Sequence, residues 1–312
     1  MTNVYFHASW DETAAEFLQG LSKQTPGEEP VWNGIHGVTD PDIAEYHVAF
    51  NRYDKVLDPS RTLLFSAEPP VSNIYGNWDD SEYLETFPIE HHYKPQRWWL
   101  GKTYDELRAL DPPEKTTNLS WITTDKGRAA GSLGRLSRRL CRRLGISEQW
   151  RRDLPLVNRG GTDGHVLRMS FLDDLVASNT DLLDLYGRGD FSGPYYKGEV
   201  ENKWDGLVDY RYSLAIENYS GPNYFSEKLT DALLAWCMPI YWGCTNLEQY
   251  LPADSFVRID IEAGEAVERV QDIVASNRRE RNLDAIAEAR RRLLEEYQIW
   301  PTIESAIETD RT

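Results

Sequence analysis

Tyr210-Arg211-Tyr212-Ser213-Leu214-Ala215-Ile216-Glu217-Asn218-Tyr219-Ser220-Gly221-Pro222-Asn223-Tyr224-Phe225-Ser226-Glu227-Lys228-Leu229-Thr230-Asp231-Ala232-Leu233-Leu234-Ala235-Trp236-Cys237-Met238-Pro239-Ile240-Tyr241-Trp242-Gly243 reads as strand, loop, helix and strand. Tyr212 to Ile216 is an apolar run of strand length. Gly221-Pro222-Asn223 is a turn cluster, and Ser226 is a good N-cap. Leu229, Leu233 and Trp236 recur at helical spacing. Pro239 forbids continuation of that helix, and Ile240-Tyr241-Trp242 reads as a second buried strand. A strand, a crossover helix and a strand make one unit of a parallel sheet.

The helix start carries the chemistry of this unit. A helix N-terminus offers unpaired N–H groups and partial positive charge. Lys228 adds a full positive charge there, which the dipole disfavours, so an anion such as a phosphate is expected to offset it. Glu227 beside it is suited to accept hydrogen bonds from ribose hydroxyls. The plainer reading is that Glu227 complements the dipole and Lys228 is solvated.

Working outward towards the N-terminus, Val4 to His7, Tyr46 to Asn51 and Arg61 to Ser66 read as strands, and Asp11 to Ser22 as a helix. Their alternation predicts an α/β first domain. Glu68 sits just past the last of these strands, at the carboxyl end where open α/β sheets place their sites. Pro69 and Pro70 stiffen the backbone behind it. Residues 71–118 hold many aromatics, Trp98 and Trp99 among them. Such faces stack on sugar rings, although most aromatics serve a core. His91-His92 has no accompanying ligands, and no metal site is expected. Asp111-Pro112-Pro113-Glu114-Lys115 reads as a linker, followed by a strand at Leu119 to Thr124.

Between the linker and the central stretch, Gly134 to Gly145 spaces Arg135, Arg138, Arg139, Arg142 and Arg143 along one helical face, with Leu136, Leu140 and Leu144 on another. This basic helix, 134–145, would serve as a peripheral membrane contact or a dock for an anionic acceptor; alternatively it is a solvated face on an acidic chain. Arg168 opens a helix, and Leu182 to Leu185 is a strand ending in the glycine-flanked Arg188. Glycines there allow backbone to approach a ligand closely. Beyond Ile261, the spacing is helical to Tyr297.

The chain has 312 residues, enough for two domains, with a formal net charge of −17. That balance argues against nucleic acid as a partner. Three cysteines without metal-ligand spacing imply no disulfide framework and fit a reducing cytoplasm, possible membrane contact being peripheral at its inner face. The N-terminus lacks the pattern of a signal peptide, and no apolar run is of membrane-spanning length.

Glu217-Asn218, Tyr224-Phe225-Ser226-Glu227-Lys228-Leu229 and Pro239-Ile240-Tyr241-Trp242-Gly243 together resemble the donor-binding signature of glycosyltransferase family 10, the α-1,3/4-fucosyltransferases. The likeness continues through Leu251 to Val257 and, more weakly, over most of residues 120–275. Ile216 stands where the family has an aromatic residue and Ser226 where it has Thr; both keep size or hydroxyl character. The resemblance implies an α/β protein of GT-B architecture, two Rossmann-like α/β domains facing a central cleft. The expected division is 1–115 on the acceptor side, 116–280 for the nucleotide-sugar, and a C-terminal helix in 281–312. It also implies an inverting, metal-independent transfer of L-fucose from GDP-fucose to an oligosaccharide or glycolipid hydroxyl, with no cofactor. The expected linkage is α-1,3 on a GlcNAc-type acceptor. Glu68 corresponds to the catalytic base. Arg168 corresponds to a pyrophosphate ligand, with Lys228 and Arg188 beside it, Glu227 at the ribose, and Glu217, Asn218 and Tyr224 in the donor site. A different GDP-sugar donor, or an inactive member that binds without turnover, stands as the alternative.

Overall fold

The computed structural model describes residues 1–7, 13–50, 58–65, 98–125 and 164–310. Glu68, His91-His92, Cys141 and the basic helix 134–145 lie outside the described residues.

The first sheet contains β1 (Thr2–His7), β2 (Val31–Trp32), β3 (Ile35–Val38), β4 (Tyr46–Phe50) and β5 (Thr62–Phe65), in the order β2-β3-β1-β4-β5. All neighbours are parallel except the short hairpin partner β2. Alternation in β1 puts Val4 and Phe6 in the core. Helix α1 (Ala14–Ser22) buries Phe17, Leu18 and Leu21, and starts where Thr13 and Glu16 form a reciprocal capping box. A second capping box, Thr103 with Glu106, opens the short α2 (Tyr104–Arg108).

The second sheet is wholly parallel. Its strands are β6 (Thr117–Ile122), β7 (Asp184–Tyr186), β8 (Tyr196–Gly198), β9 (Tyr210–Gly221), β10 (Met238–Cys244) and β11 (Val257–Arg258), ordered β11-β10-β9-β6-β7-β8. Leu214, Ala215 and Ile216 of the central β9 are all buried, as expected for a strand covered on both faces. α3 (Gly164–Ser178) and α4 (Glu227–Leu234) pack against it. β9 runs past the expected Ile216 to the turn at Gly221. Trp236, counted with the helix by spacing, instead lies beyond it at φ 62°, where the chain reverses into β10. Two α/β sheets therefore stand where two Rossmann-like halves were expected. Among the described residues no helix is long and apolar enough to cross a membrane.

α5 (Ala266–Ala275), α6 (Arg278–Arg281), α7 (Leu283–Arg292), a wider helical turn at Leu293–Tyr297 and α8 (Ile299–Asp310) complete the fold. The expected C-terminal helical segment is divided between the two halves. α7 contacts α4, whereas α8 reaches the first sheet. There Trp300 meets Phe6 edge-on at 5.2 Å and donates to the Leu21 carbonyl at 2.9 Å, and Glu304 accepts from Trp32 Nε1 at 3.0 Å.

The carbonyl end of α4 is enclosed by three cations. Lys115 Nζ donates to Val208 and Ala235 carbonyls at 2.7 Å. Arg279 Nε donates to the Trp236 carbonyl at 2.8 Å, and Arg290 donates to the Leu234 and Leu107 carbonyls with its guanidinium 4.4 Å from the Trp236 ring centroid. Cations at this end complement the helix dipole. Burial pushes the Arg290 guanidinium down to about 9 and also lowers Lys115. The 111–115 linker is thus anchored at its last residue.

Candidate functional site

Parallel strands bring their carboxyl ends to one edge, so the loops after β7 and β9 and the head of α4 converge there. Ser226 caps α4 as expected, its hydroxyl accepting from Lys228 N. Glu217, on β9, is completely buried and accepts from Ser226 N at 2.8 Å and Ser226 Oγ at 2.6 Å. Glu217 therefore fixes the helix entry from below.

Gly243 makes room for that carboxylate. Its φ is +157°, and a Cβ there would lie 2.4 Å from Glu217 Cγ and 2.6 Å from Tyr241 Oη. The final glycine of the Pro239–Gly243 block thus permits β10 to pass Glu217, a role that sequence spacing alone does not reveal.

Lys228 does have anionic partners, but the fold itself supplies them. Its Nζ lies 3.3 Å from Glu227 Oε1 and 3.7 Å from Glu217 Oε2. Lys203, from the loop before β9, joins the cluster at 3.3 Å from Glu227 Oε1 and 2.9 Å from Asp231 Oδ2. Sequence alone assigns no role to Lys203 or Asp231. The pair is 28 positions apart in sequence, and only the packing of the pre-β9 loop against α4 joins them.

The cluster holds three carboxylates and two ammonium groups in a mostly desolvated space. Burial raises the Glu217 carboxyl, with Lys228 opposing. Burial also acts to raise Glu227, but Lys203 and Lys228 outweigh it and hold that carboxyl well below its usual range. Asp231 is pushed up to about 6 by burial, against the pull of Lys203. Desolvation acts to lower Lys203, but Asp231 and Glu227 prevail and raise it. Glu227 is consequently an ionised carboxylate that remains 29% exposed.

Arg168 does not open α3. It lies in the second turn, 2% exposed, with its guanidinium against the Ile216 carbonyl and His165. Arg188 is 81% exposed and pairs with Glu199 at 2.9 Å. The glycines beside it approach backbone: a Cβ on Gly187 (φ +122°) would lie 1.9 Å from the Thr123 carbonyl oxygen. Tyr224 is buried edge-on against Tyr219 at 5.9 Å, a packing position. Asn218 lies under the start of α3, where a Cβ on Gly164 would be 2.2 Å from its carbonyl oxygen. Glu217, Glu227 and Lys228 are thus brought together. Among the described residues no group of three or more His, Cys, Asp and Glu side chains is placed to hold a metal ion.

Residues 161–279 match the family model described as glycosyltransferase family 10 (fucosyltransferase) C-term. Over 81 residues the chain is 38% identical to 3-galactosyl-N-acetylglucosaminide 4-alpha-L-fucosyltransferase FUT3 of Homo sapiens, a match covering 25% of this chain and 21% of that protein. The identity is also 38% over 81 residues to 4-galactosyl-N-acetylglucosaminide 3-alpha-L-fucosyltransferase FUT5 of Homo sapiens, covering 25% of this chain and 20% of that protein. The chain thus spans about a fifth of the length of these curated relatives. A crystal structure of an alpha1,3-fucosyltransferase with GDP superposes with a TM-score of 0.46 and 14% identity, covering 98% of this chain and 90% of that one.

Proposed function

We propose that this chain, whose residues 161–279 match the model described as glycosyltransferase family 10 (fucosyltransferase) C-term, transfers L-fucose from GDP-fucose to a glycan hydroxyl with inversion. The observation that carries the reading is the ionic cluster at the head of α4. An ionised, part-exposed Glu227 and a part-exposed Lys228 lie at a helix N-terminus, at the carboxyl edge of a parallel sheet. The helix end and the Lys228 ammonium suit a diphosphate, and Glu227 suits the ribose diol beside it. Negative charge grows on the leaving diphosphate as the bond to the anomeric carbon breaks, and the Lys228 ammonium would stabilise it. A preorganised cation in that role is worth several kcal/mol. Glu68 would take the proton from the attacking acceptor hydroxyl. A GlcNAc-type acceptor, as in the names of the human relatives, and a metal-independent reaction complete the reading.

The test is GDP release from GDP-fucose in EDTA, with and without lacto-N-biose or N-acetyllactosamine. Acceptor-dependent release is expected, lost in Lys228→Ala and Glu68→Gln. Full activity in Lys228→Ala refutes the assignment, and release from a different GDP-sugar in preference to GDP-fucose replaces the donor.

A further inference from the structure

We propose that Lys203 is a positioning residue of the donor site: bound to Asp231, its ammonium sets the Glu227 carboxylate towards the ribose hydroxyls of a guanosine diphosphate. The inference rests on the reading of α4 as the head of a GDP-sugar site.

Glu227 and Asp231 are four residues apart on α4 and so share one helix face, where two carboxylates repel. Lys203 Nζ lies between them, 3.3 Å from Glu227 Oε1 and 2.9 Å from Asp231 Oδ2. Lys228 Nζ approaches the same Glu227 oxygen, Oε1, at 3.3 Å. Among the described residues the hydrogen bonds that Glu227 accepts from ammonium groups both end on Oε1. One oxygen of the carboxylate is therefore anchored, while the other remains able to accept from a ligand hydroxyl.

The anchor is itself fixed. Asp231 is 1% exposed and accepts from Trp99 N at 3.1 Å through its other oxygen, Oδ1. Lys203 N donates to the Trp99 carbonyl, also at 3.1 Å. One peptide unit pair around Trp99 thus clamps both members of the Lys203–Asp231 bridge. Without the Lys203 ammonium, Glu227 keeps, among the described residues, Lys228 alone as a cationic partner, a neighbour on its own helix that the diphosphate also needs. Lys203 lets Lys228 serve the phosphate while Glu227 stays in place.

The experiment compares GDP with 2′,3′-dideoxy-GDP by titration calorimetry on the full chain. The variants are Lys203→Met, Lys203→Arg and the double variant Lys203→Met/Asp231→Asn, which replaces the buried ion pair with neutral groups and protects folding. Wild type is expected to bind GDP more tightly than the dideoxy nucleotide. The folded double variant is expected to lose about tenfold in GDP affinity, the scale of one charge-assisted hydrogen bond, and to bind dideoxy-GDP as wild type does. Lys203→Arg should restore most of the loss. An unchanged GDP affinity in the double variant overturns the proposal, as does an equal loss for both nucleotides, which marks a structural role. Wild type binding neither nucleotide refutes the donor-site reading itself and removes the premise.

Discussion

Removing the Glu217 carboxylate should damage the fold as well as the site. Glu217→Ala leaves Ser226 N–H and the Ser226 hydroxyl without their buried acceptor and takes a counter-charge from Lys228, 3.7 Å away. Each buried donor left unsatisfied costs about 1–3 kcal/mol. Lys228 is 19% exposed, so water partly replaces the lost carboxylate. The alanine variant should therefore lose about 3–5 kcal/mol. Glu217→Gln keeps an acceptor for Ser226 N–H and turns its amide towards the hydroxyl. It also removes the desolvation cost of a buried charge, so its loss should be about 1 kcal/mol. Urea unfolding at neutral pH measures both, read from the midpoint at a common slope. An alanine variant within about 1 kcal/mol of wild type, or a glutamine variant as damaged as the alanine one, refutes the view that Glu217 fixes the entry to α4.

Gly243→Ala places a methyl 2.4 Å from Glu217 Cγ and should cost about 2–3 kcal/mol, with GDP affinity falling alongside; a wild-type melting temperature contradicts this. Trp300→Ala empties a fully buried position between α1 and the first sheet and should cost about 3–5 kcal/mol in urea unfolding, a loss under 1 kcal/mol contradicting it. Folded Asp231 holds its proton to about pH 6, against 3.8 for the ordinary carboxyl. The fold therefore gains from protonation at low pH and loses that gain as pH rises through about 6. Referred to Asp231→Asn, wild-type stability should fall between pH 3.8 and about 6, and a difference that is flat or rises with pH contradicts the shift.

The β9–α4–β10 unit was legible because its signals are local: an apolar run, a turn cluster, an N-cap hydroxyl and a proline. Ser226 caps its own helix, so three adjacent residues suffice to find it. Lys228 shows where that reading stops. Its position implied an anion, and the structure provides Glu227 from the same turn and Glu217 from the strand below. No periodicity could bring Lys203 to Asp231 or send α8 back to the first sheet. Both depend on the packing of segments distant along the chain.

The three cations at the carbonyl end of α4 bear on what counts as a self-sufficient unit. The helix is about 12 Å long, so its two ends are held by different parts of the chain. Residues 161–279 include the head of the helix and Arg279, but not Lys115 or Arg290. A polypeptide cut to those limits would contain the whole 210–243 stretch while leaving the Leu234 and Ala235 carbonyls at the far end of α4 without their cationic partners. A piece that retains all three cations must reach from the linker to at least α7.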